Sequence, residues 1–391
     1  MTKKNWATRK VNLSTAIIVG GAVALIGVFC GANFQYLFGG SKNGGNYKVD
    51  WSSLDVVYDK LSSTYNGDLD TAALVEGAKE GMVKAVGDAY TTYLTHQKSV
   101  DFYNDLHGNV GSGIGIEIGL RDGYVRVLRT LPDDPARAVG ILAGDIIYKV
   151  DDEEVWTLSS DEVASKVRGM SGTEVKVTVI RDGKEIDYKM KRETINNVSA
   201  YIDYDGSTAI ITVVRFDNDT GRLVQDFTST FDQKGIKKVI LDLRDNGGGY
   251  VNAARDLLSL WIDGKAVFEQ KSKHYGDSVT DALNGRAVLK DMPTVVIVNG
   301  STASASEIVA GALQDYKKAT ILGEQTYGKG VVQNLFDLAD GSSLKVTTAE
   351  WFTPNGNSIT KTGITPDVVV ERSYEDINAM RDPQMDKAKK L

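Results

Sequence analysis

Cysteine is nearly absent: Cys30 is the only one in 391 residues. A disulfide framework is therefore excluded, as are zinc sites built from four cysteines or from two cysteines and two histidines. Histidine is almost as scarce, and His96, His107 and His274 are the only candidates for a histidine base. Only six prolines are present, and no internal repeat is visible, so a collagen-like rod is ruled out. With 42% apolar and 25% charged residues the chain is globular in composition, not disordered. At roughly 100–200 residues per domain its length points to two or three domains. There is no basic excess: the net charge is −7 and the pI near 5.2, which argues against non-specific nucleic-acid binding.

Charge is missing altogether from Leu13 to Phe38, directly after Lys3, Lys4, Arg9 and Lys10. A bilayer needs about 20 apolar residues, so this stretch is long enough to span one. A cleaved signal peptide is the competing reading, but its apolar region usually runs about 7–15 residues. No clean small-residue cleavage site follows, and Phe29 stands before Cys30 where a lipoprotein needs a small residue. The expectation is an uncleaved, single-pass signal anchor in the cell membrane of a bacterial envelope. By the positive-inside rule, residues 1–12 are cytoplasmic and the folded part extracytoplasmic. A glycine-rich tether, 39–47, follows.

Beyond the tether the periodicity changes twice. Leu54, Val57, Leu61 and Tyr65, with Asp50 or Ser52 as cap, and then Leu74, Ala78, Met82 and Ala85, mark two helices that read as a hairpin packed on a larger body. From Gly111 a period of two sets in: Ile114–Ile118 and Tyr124–Leu128 are strands around an Arg121-Asp-Gly123 turn. A short helix at 135–139, a strand at 146–150, a helix at 161–167 and a strand at 175–180 complete a β-rich unit. After about residue 196 short apolar strands (209–214, 238–243, 294–298, 320–322) alternate with helices (223–231, 253–261, 308–313), an α/β layer pattern. The tail beyond Glu371 is charged and has no strong period.

Three strand ends in this last region carry unusual residues. Val239–Leu243 runs into Arg-Asp-Asn and then Gly247, Gly248 and Gly249, where bare backbone lets a ligand approach amide groups. No phosphate-loop or dinucleotide-binding spacing accompanies them. Thr294–Val298 leads to Asn-Gly-Ser-Thr-Ala-Ser304 and an apolar helix. A serine there is either a nucleophile at the positive end of a helix or an ordinary cap, with Glu307 closing a capping box from Ser304. Lys329 stands between Gly328 and Gly330, either as a solvated surface cation or as a base. A serine nucleophile needs a base, and a buried lysine with a lowered pKa is the natural one where histidines are so few.

Together these segments resemble the C-terminal processing peptidases, the tail-specific serine protease family with a PDZ domain. The similarity runs in order through GDAYTTYL (87–94), GSGIGIEI (111–118), PARAVGILAGDIIYKVDDEEV (135–155), VRGMSGTEVKVTVIRDG (167–183), VILDLRDNGGGYV (239–251), NGSTASASEIVAGALQD (299–315), GEQTYGKGVVQ (323–333), TTAEWFTPNGNSI (347–359) and GITPDV (363–368). The resemblance implies Ser304 as nucleophile, Lys329 as general base and Gln333 as the residue that orients it. It implies an oxyanion hole from the amides of Ala305 and of one glycine of 247–249, taken as Gly248. The Gly113-Ile114-Gly115-Ile116 loop would hold a substrate's terminal carboxylate, and Arg168 would lie near the junction of the PDZ and protease domains, where a gating role is open. No metal or organic cofactor is implied.

The fold class expected is thus a multi-domain α+β protein. It comprises a cytoplasmic amino terminus (1–12), a membrane anchor (13–38), a linker (39–47), a helical segment packing on the core (48–107), a PDZ β-rich domain (108–195), an α/β protease core (196–372) and a carboxyl-terminal tail (373–391). Its partners would be proteins or peptides with free apolar carboxyl termini and the membrane, with no nucleic acid; an activating adaptor and a homo-oligomer are left open. The rival from another class is a catalytically silent PDZ scaffold that binds tails without cutting them. A binding protein needs none of Ser304, Lys329 and Gln333, which favours the enzyme.

Overall fold

The computed structural model describes residues 50–391 apart from 109, 110, 132, 133, 196 and 380. The readings on the amino-terminal residues (the basic segment, the span at 13–38, Cys30 and the tether) lie outside the described residues. Among the described residues no helix is long and apolar enough to cross a membrane.

Residues 50–71 carry helix α1 (Ser52–Thr64), which places Asp55 in its first turn, where a carboxylate complements the helix dipole. Asp50 accepts the Ser52 amide at 3.0 Å. No residue of α1 is buried.

The rest of the chain, 72–391, is one compact unit. Helix α2 (Thr71–Lys84) is tied to a distant loop through Lys79, which bonds Asp340 at 2.6 Å. Strand β1 (Thr92–Leu94) and helix α3 (His96–His107), capped by the Thr95 hydroxyl, follow. The β-rich domain then comprises β2 (Ser112–Gly113), β3 (Ile116–Arg121), β4 (Tyr124–Thr130), α4 (Pro135–Val139), β5 (Ile146–Val150), β6 (Glu153–Glu154), α5 (Ser160–Val167), β7 (Glu174–Arg181), β8 (Lys184–Lys191) and β9 (Glu193–Thr194). Its antiparallel sheet has the order β3-β4-β5-β7-β8, with β6 on β5, around a core that includes Val127, Val163 and Val177. Asp122 and Gly123 both have positive φ, which suits the tight turn between two twisted strands. Strand β8 escapes the sequence pattern because Met190 is its one buried side chain.

The core domain adds β10 (Ala200–Asp205), β11 (Thr208–Val213), α6 (Thr220–Thr228), α7 (Phe231–Lys234), β12 (Lys238–Asp242), α8 (Val251–Leu258), β13 (Ala266–Lys271), β14 (Ser278–Asp281), β15 (Thr294–Val298), α9 (Ala305–Asp315), β16 (Thr320–Gly323), β17 (Val331–Asp337), β18 (Ser343–Phe352), β19 (Val368–Val369), α10 (Tyr374–Asn378) and α11 (Pro383–Lys390). A six-stranded sheet, β10-β11-β12-β15-β16-β19, is parallel except for β10. Both its faces are covered, which is why its central strands are continuously apolar. Val239, Leu241, Val296 and Val298 join the large core that holds Leu257, Ile308 and Trp261. Ile240, Val295, Ile297 and Leu322 face the other way, against Ala388 and Met385. The charged segment past Glu371 therefore contains the helix, α11, that closes the second face. A second, antiparallel sheet forms around β18, with β1, β13, β14 and β17.

Candidate active site

The three unusual segments all leave the carboxyl ends of β12, β15 and β16, adjacent parallel strands of one sheet. Ligands of open α/β sheets bind at that edge. Strand β15 is buried along its whole length, so its register on β12 and β16 fixes where the following loop starts. Two loops are then laced together: Thr302 Oγ1 donates to Leu243 O at 2.9 Å, Ala303 N to Asn246 O at 3.0 Å and Ser306 Oγ to Asn246 O at 3.0 Å.

Ser304 caps helix α9 and has φ 57° and ψ −119°, a backbone conformation that a residue with a side chain rarely adopts. Strain of this kind is held only where the surroundings over-determine it. The helix behind it is buried from Ala305 to Leu313, so the serine sits, half-exposed, on a packed base. Gly248 lies against it. A Cβ added to Gly248 would be 2.8 Å from Ser304 Cβ and 3.0 Å from Ala305 N, and its φ is 103°. The amide of Gly248 donates to Asn246 Oδ1 at 2.8 Å.

Glu307 accounts for the arrangement of the third loop. Its fully buried carboxylate accepts Thr326 Oγ1 at 2.6 Å and Gly328 N at 2.7 Å on one oxygen. On the other it accepts Ser304 N at 2.8 Å and Lys329 N at 2.9 Å. Burial pushes its pKa up, opposed by those four donors. Sequence reasoning sees Glu307 only as part of a cap; its hold on a loop some twenty residues away is not a local signal.

Lys329 is half-buried, and its carbonyl accepts Trp351 Nε1 at 3.0 Å. Burial holds its ammonium below the usual lysine range, reinforced by the positive charge of Lys345 and opposed by Glu307. Lys345 is itself lowered by burial. The Lys329 Nζ lies 5.6 Å from the Tyr90 ring centroid, and Gln333 donates its side-chain amide to Tyr90 O. Tyr90, from the GDAYTTYL segment, is thus a site residue that spacing alone does not single out. Among the described residues no hydrogen bond joins Ser304 Oγ to Lys329 Nζ; the two are linked through Glu307. His96 and His107 bond Gly341 O and Tyr103 O, structural partners rather than Ser304. Among the described residues no group of three or more His, Cys, Asp or Glu side chains is placed to hold a metal ion.

The β-rich domain presents a separate cleft of about 380 Å³, lined by Gly113, Ile114, Gly115 and Ile116, by Ala164 and Val167 of α5, and by Arg168. Gly115 has φ 75°, and a Cβ there would fall 2.1 Å from Asp134 Cβ, so the loop needs glycine. Aliphatic side chains line it together with charged ones, Asp105, Glu117, Asp161, Arg215 and the exposed Arg168. Asp105 of α3 shares it, its carboxyl pushed up by burial and pulled back by Arg168.

Comparison with known proteins agrees in three places. Residues 207–370 match Peptidase family S41, residues 112–191 a PDZ domain, and residues 36–98 the activating protease CtpB N-terminal domain. A protein of Staphylococcus aureus (strain COL) named "Probable CtpA-like serine protease" is 36% identical over 350 residues, covering 88% of this chain and 70% of the relative. One of the same name from Staphylococcus saprophyticus is 31% identical over 97% of this chain and 77% of its own. Among solved structures, a photosystem II D1 C-terminal processing protease superposes with a TM-score of 0.56 at 27% identity, covering 82% of this chain and 86% of that one.

Proposed function

Because the chain belongs to peptidase family S41, as a CtpA-like serine protease with a PDZ domain, we propose that it cuts proteins delivered by their carboxyl-terminal tails, using Ser304 and Lys329 as a Ser–Lys pair. The observation that carries this reading is the shared carboxylate oxygen: Glu307 Oε2 holds the amides of both Ser304 and Lys329. A neutral Lys329 amine removes the Ser304 proton, and Ser304 Oγ attacks the peptide carbonyl. The tetrahedral anion is met by the Ala305 amide at the start of α9 and by Gly248, whose amide turns to it from Asn246 Oδ1. Lys329 returns the proton to the leaving amine, and water then resolves the acyl-enzyme.

The PDZ cleft supports the delivery step. Its glycine-bearing loop suits a terminal carboxylate, its aliphatic walls suit an apolar last residue, and pairing along β3 would hold the tail's backbone. The reading places the enzyme on the outer face of the cell membrane, anchored by residues 13–38. An adaptor or activating partner acting there is part of this reading.

The test is to incubate the full-length protein with an unstructured protein that ends in an apolar tail. Cleavage by the wild type, none by Ser304→Ala or Lys329→Ala, and equal tail binding by all three is the expected result. Cleavage that survives Ser304→Ala would overturn the assignment. Binding with no cleavage by any of the three would restore the scaffold reading for the tail.

A further inference from the structure

The PDZ domain touches the protease loops at one residue whose placement the delivery function does not need. Arg121 ends strand β3, at the tip of the β3–β4 hairpin. Its Nη2 donates to Asp245 Oδ1 at 2.8 Å and to Ser301 Oγ at 2.9 Å. Those acceptors lie on the two loops that matter most. Asp245 is three residues before Gly248, and Ser301 is three residues before Ser304. Asn299 joins them from below: its Nδ2 donates to Asp245 Oδ1 at 3.0 Å, and its Oδ1 accepts Asp245 N at 3.0 Å and Ser301 N at 3.2 Å. Asp245 sits at φ 59°, a left-handed conformation that aspartate adopts more readily than most side chains.

We propose, on the reading that Ser304 is the nucleophile, that Arg121 is a positioning residue of the protease site, supplied by the PDZ domain. Two physical effects follow from its location. The guanidinium fixes the spacing of the loop that carries Gly248 against the loop that carries Ser304, and misplacement of about 1 Å is enough to cost a large factor in rate. It also neutralises Asp245, whose free carboxylate would otherwise place negative charge in the loop where an oxyanion has to be stabilised. Strand β3 begins beside the Gly113–Ile116 loop and ends in Arg121. Tail capture and loop positioning therefore lie at opposite ends of one strand.

A double-mutant cycle on the full-length protein tests this. The variants are Arg121→Ala, Asp245→Ala and the pair, with Arg121→Lys and the swapped pair Arg121→Asp/Asp245→Arg for rescue. Readouts are kcat and KM on a tail-bearing unstructured protein, tail affinity, and Tm. Each single substitution is expected to lower kcat about tenfold, and the double is expected to be no slower than the worse single, since the two residues act as one contact. KM, tail affinity and Tm are expected to stay near wild type. Arg121→Lys and the swapped pair are expected to recover part of the rate. Losses that multiply in the double variant, a loss confined to KM or tail affinity, or a faster Arg121→Ala enzyme would each overturn the inference. Ser304→Ala run alongside separates the two levels. If wild-type cleavage depends on Ser304 while Arg121→Ala matches wild type, only the Arg121 assignment fails. If cleavage does not depend on Ser304, the reading beneath it fails and takes this inference with it.

Discussion

Gln333 donates its side-chain amide to the backbone carbonyl of Tyr90, a residue 243 positions away, and the ring of that tyrosine faces the Lys329 amine at 5.6 Å. On the proposal that Lys329 is the base, Gln333 acts on it through Tyr90, the wall beside the amine. Gln333→Ala frees that wall, and displacement of a base by about 1 Å is worth on the order of 100-fold in rate. The expected outcome is a kcat loss of that size with KM little changed, measured on a tail-bearing substrate. Tyr90→Ala should give a similar loss.

Glu307→Gln tests the brace between Ser304 and Lys329, the proposed nucleophile and base. A glutamine keeps one acceptor oxygen and turns its amide NH2 towards two of the four donors that the carboxylate satisfies. Leaving buried donors unpaired costs about 1–3 kcal/mol each. Unfolding by denaturant is expected to show a loss of about 2–6 kcal/mol, accompanied by loss of cleavage, because either the Ser304 and Lys329 amides or the Thr326 and Gly328 donors lose their acceptor.

Much of this site is legible in the sequence, and the reason is local. Strands β12 and β15 are apolar on both faces and run directly into glycine- and serine-rich loops, which marks the segments of Gly248 and Ser304, while the roles read for them and for Lys329 come from the family resemblance. Tyr90, the bracing role of Glu307 and the Arg121 contact do not, because each depends on a partner far away in the chain. Strands β17 and β18 were equally hidden: most of their side chains are only half-buried, so no clean alternation marks them. Helix α11 offers the sheet little beyond Met385 and Ala388, too few apolar residues to make a period.

What docks α11 is mainly ionic. Arg244 donates to Asp242 at 2.6 Å and to Asp382 at 2.9 Å, and Lys238 donates to Ala388 O at 2.6 Å. The Asp242 and Arg244 side chains are almost wholly buried, at 11% and 12% exposure. Removing one partner of a buried pair costs about 3–5 kcal/mol, because the other charge is left uncompensated. Arg244→Met is expected to destabilise the protein by that amount in chemical denaturation. Asp382→Asn, at the more exposed end of the network, should cost less.

The pH dependence of cleavage follows from Lys329. Its pKa is lowered by burial and by Lys345, and the base form is the neutral amine. Activity should therefore rise with pH through that lowered pKa and be lost below it as the amine protonates. Lys345→Met removes the neighbouring positive charge, which raises the Lys329 pKa. The acid limb of the kcat/KM profile should then move to higher pH. A limb that stays in place would show that Lys345 does not act on Lys329.

Gly248→Ala tests the packing at Ser304, the proposed nucleophile. The new methyl group would meet Ser304 Cβ at 2.8 Å, from a backbone with φ 103°. Alanine keeps the backbone N–H but pushes it away from the Ser304 loop, and an oxyanion donor that no longer reaches its target typically costs about 100- to 1,000-fold in kcat. A loss in that range is expected in steady-state cleavage, with tail binding unchanged.

The central claim, that Lys329 activates Ser304, is tested most directly by the rate at which a small fluorophosphonate modifies the full-length protein, followed by intact mass and peptide mapping across pH. No tail recognition is needed for that reaction. One adduct on Ser304 is expected, formed faster as pH rises through the lowered Lys329 pKa and slowed by about 100-fold or more in Lys329→Met. An adduct on another residue, or an undiminished rate in Lys329→Met, would contradict the account.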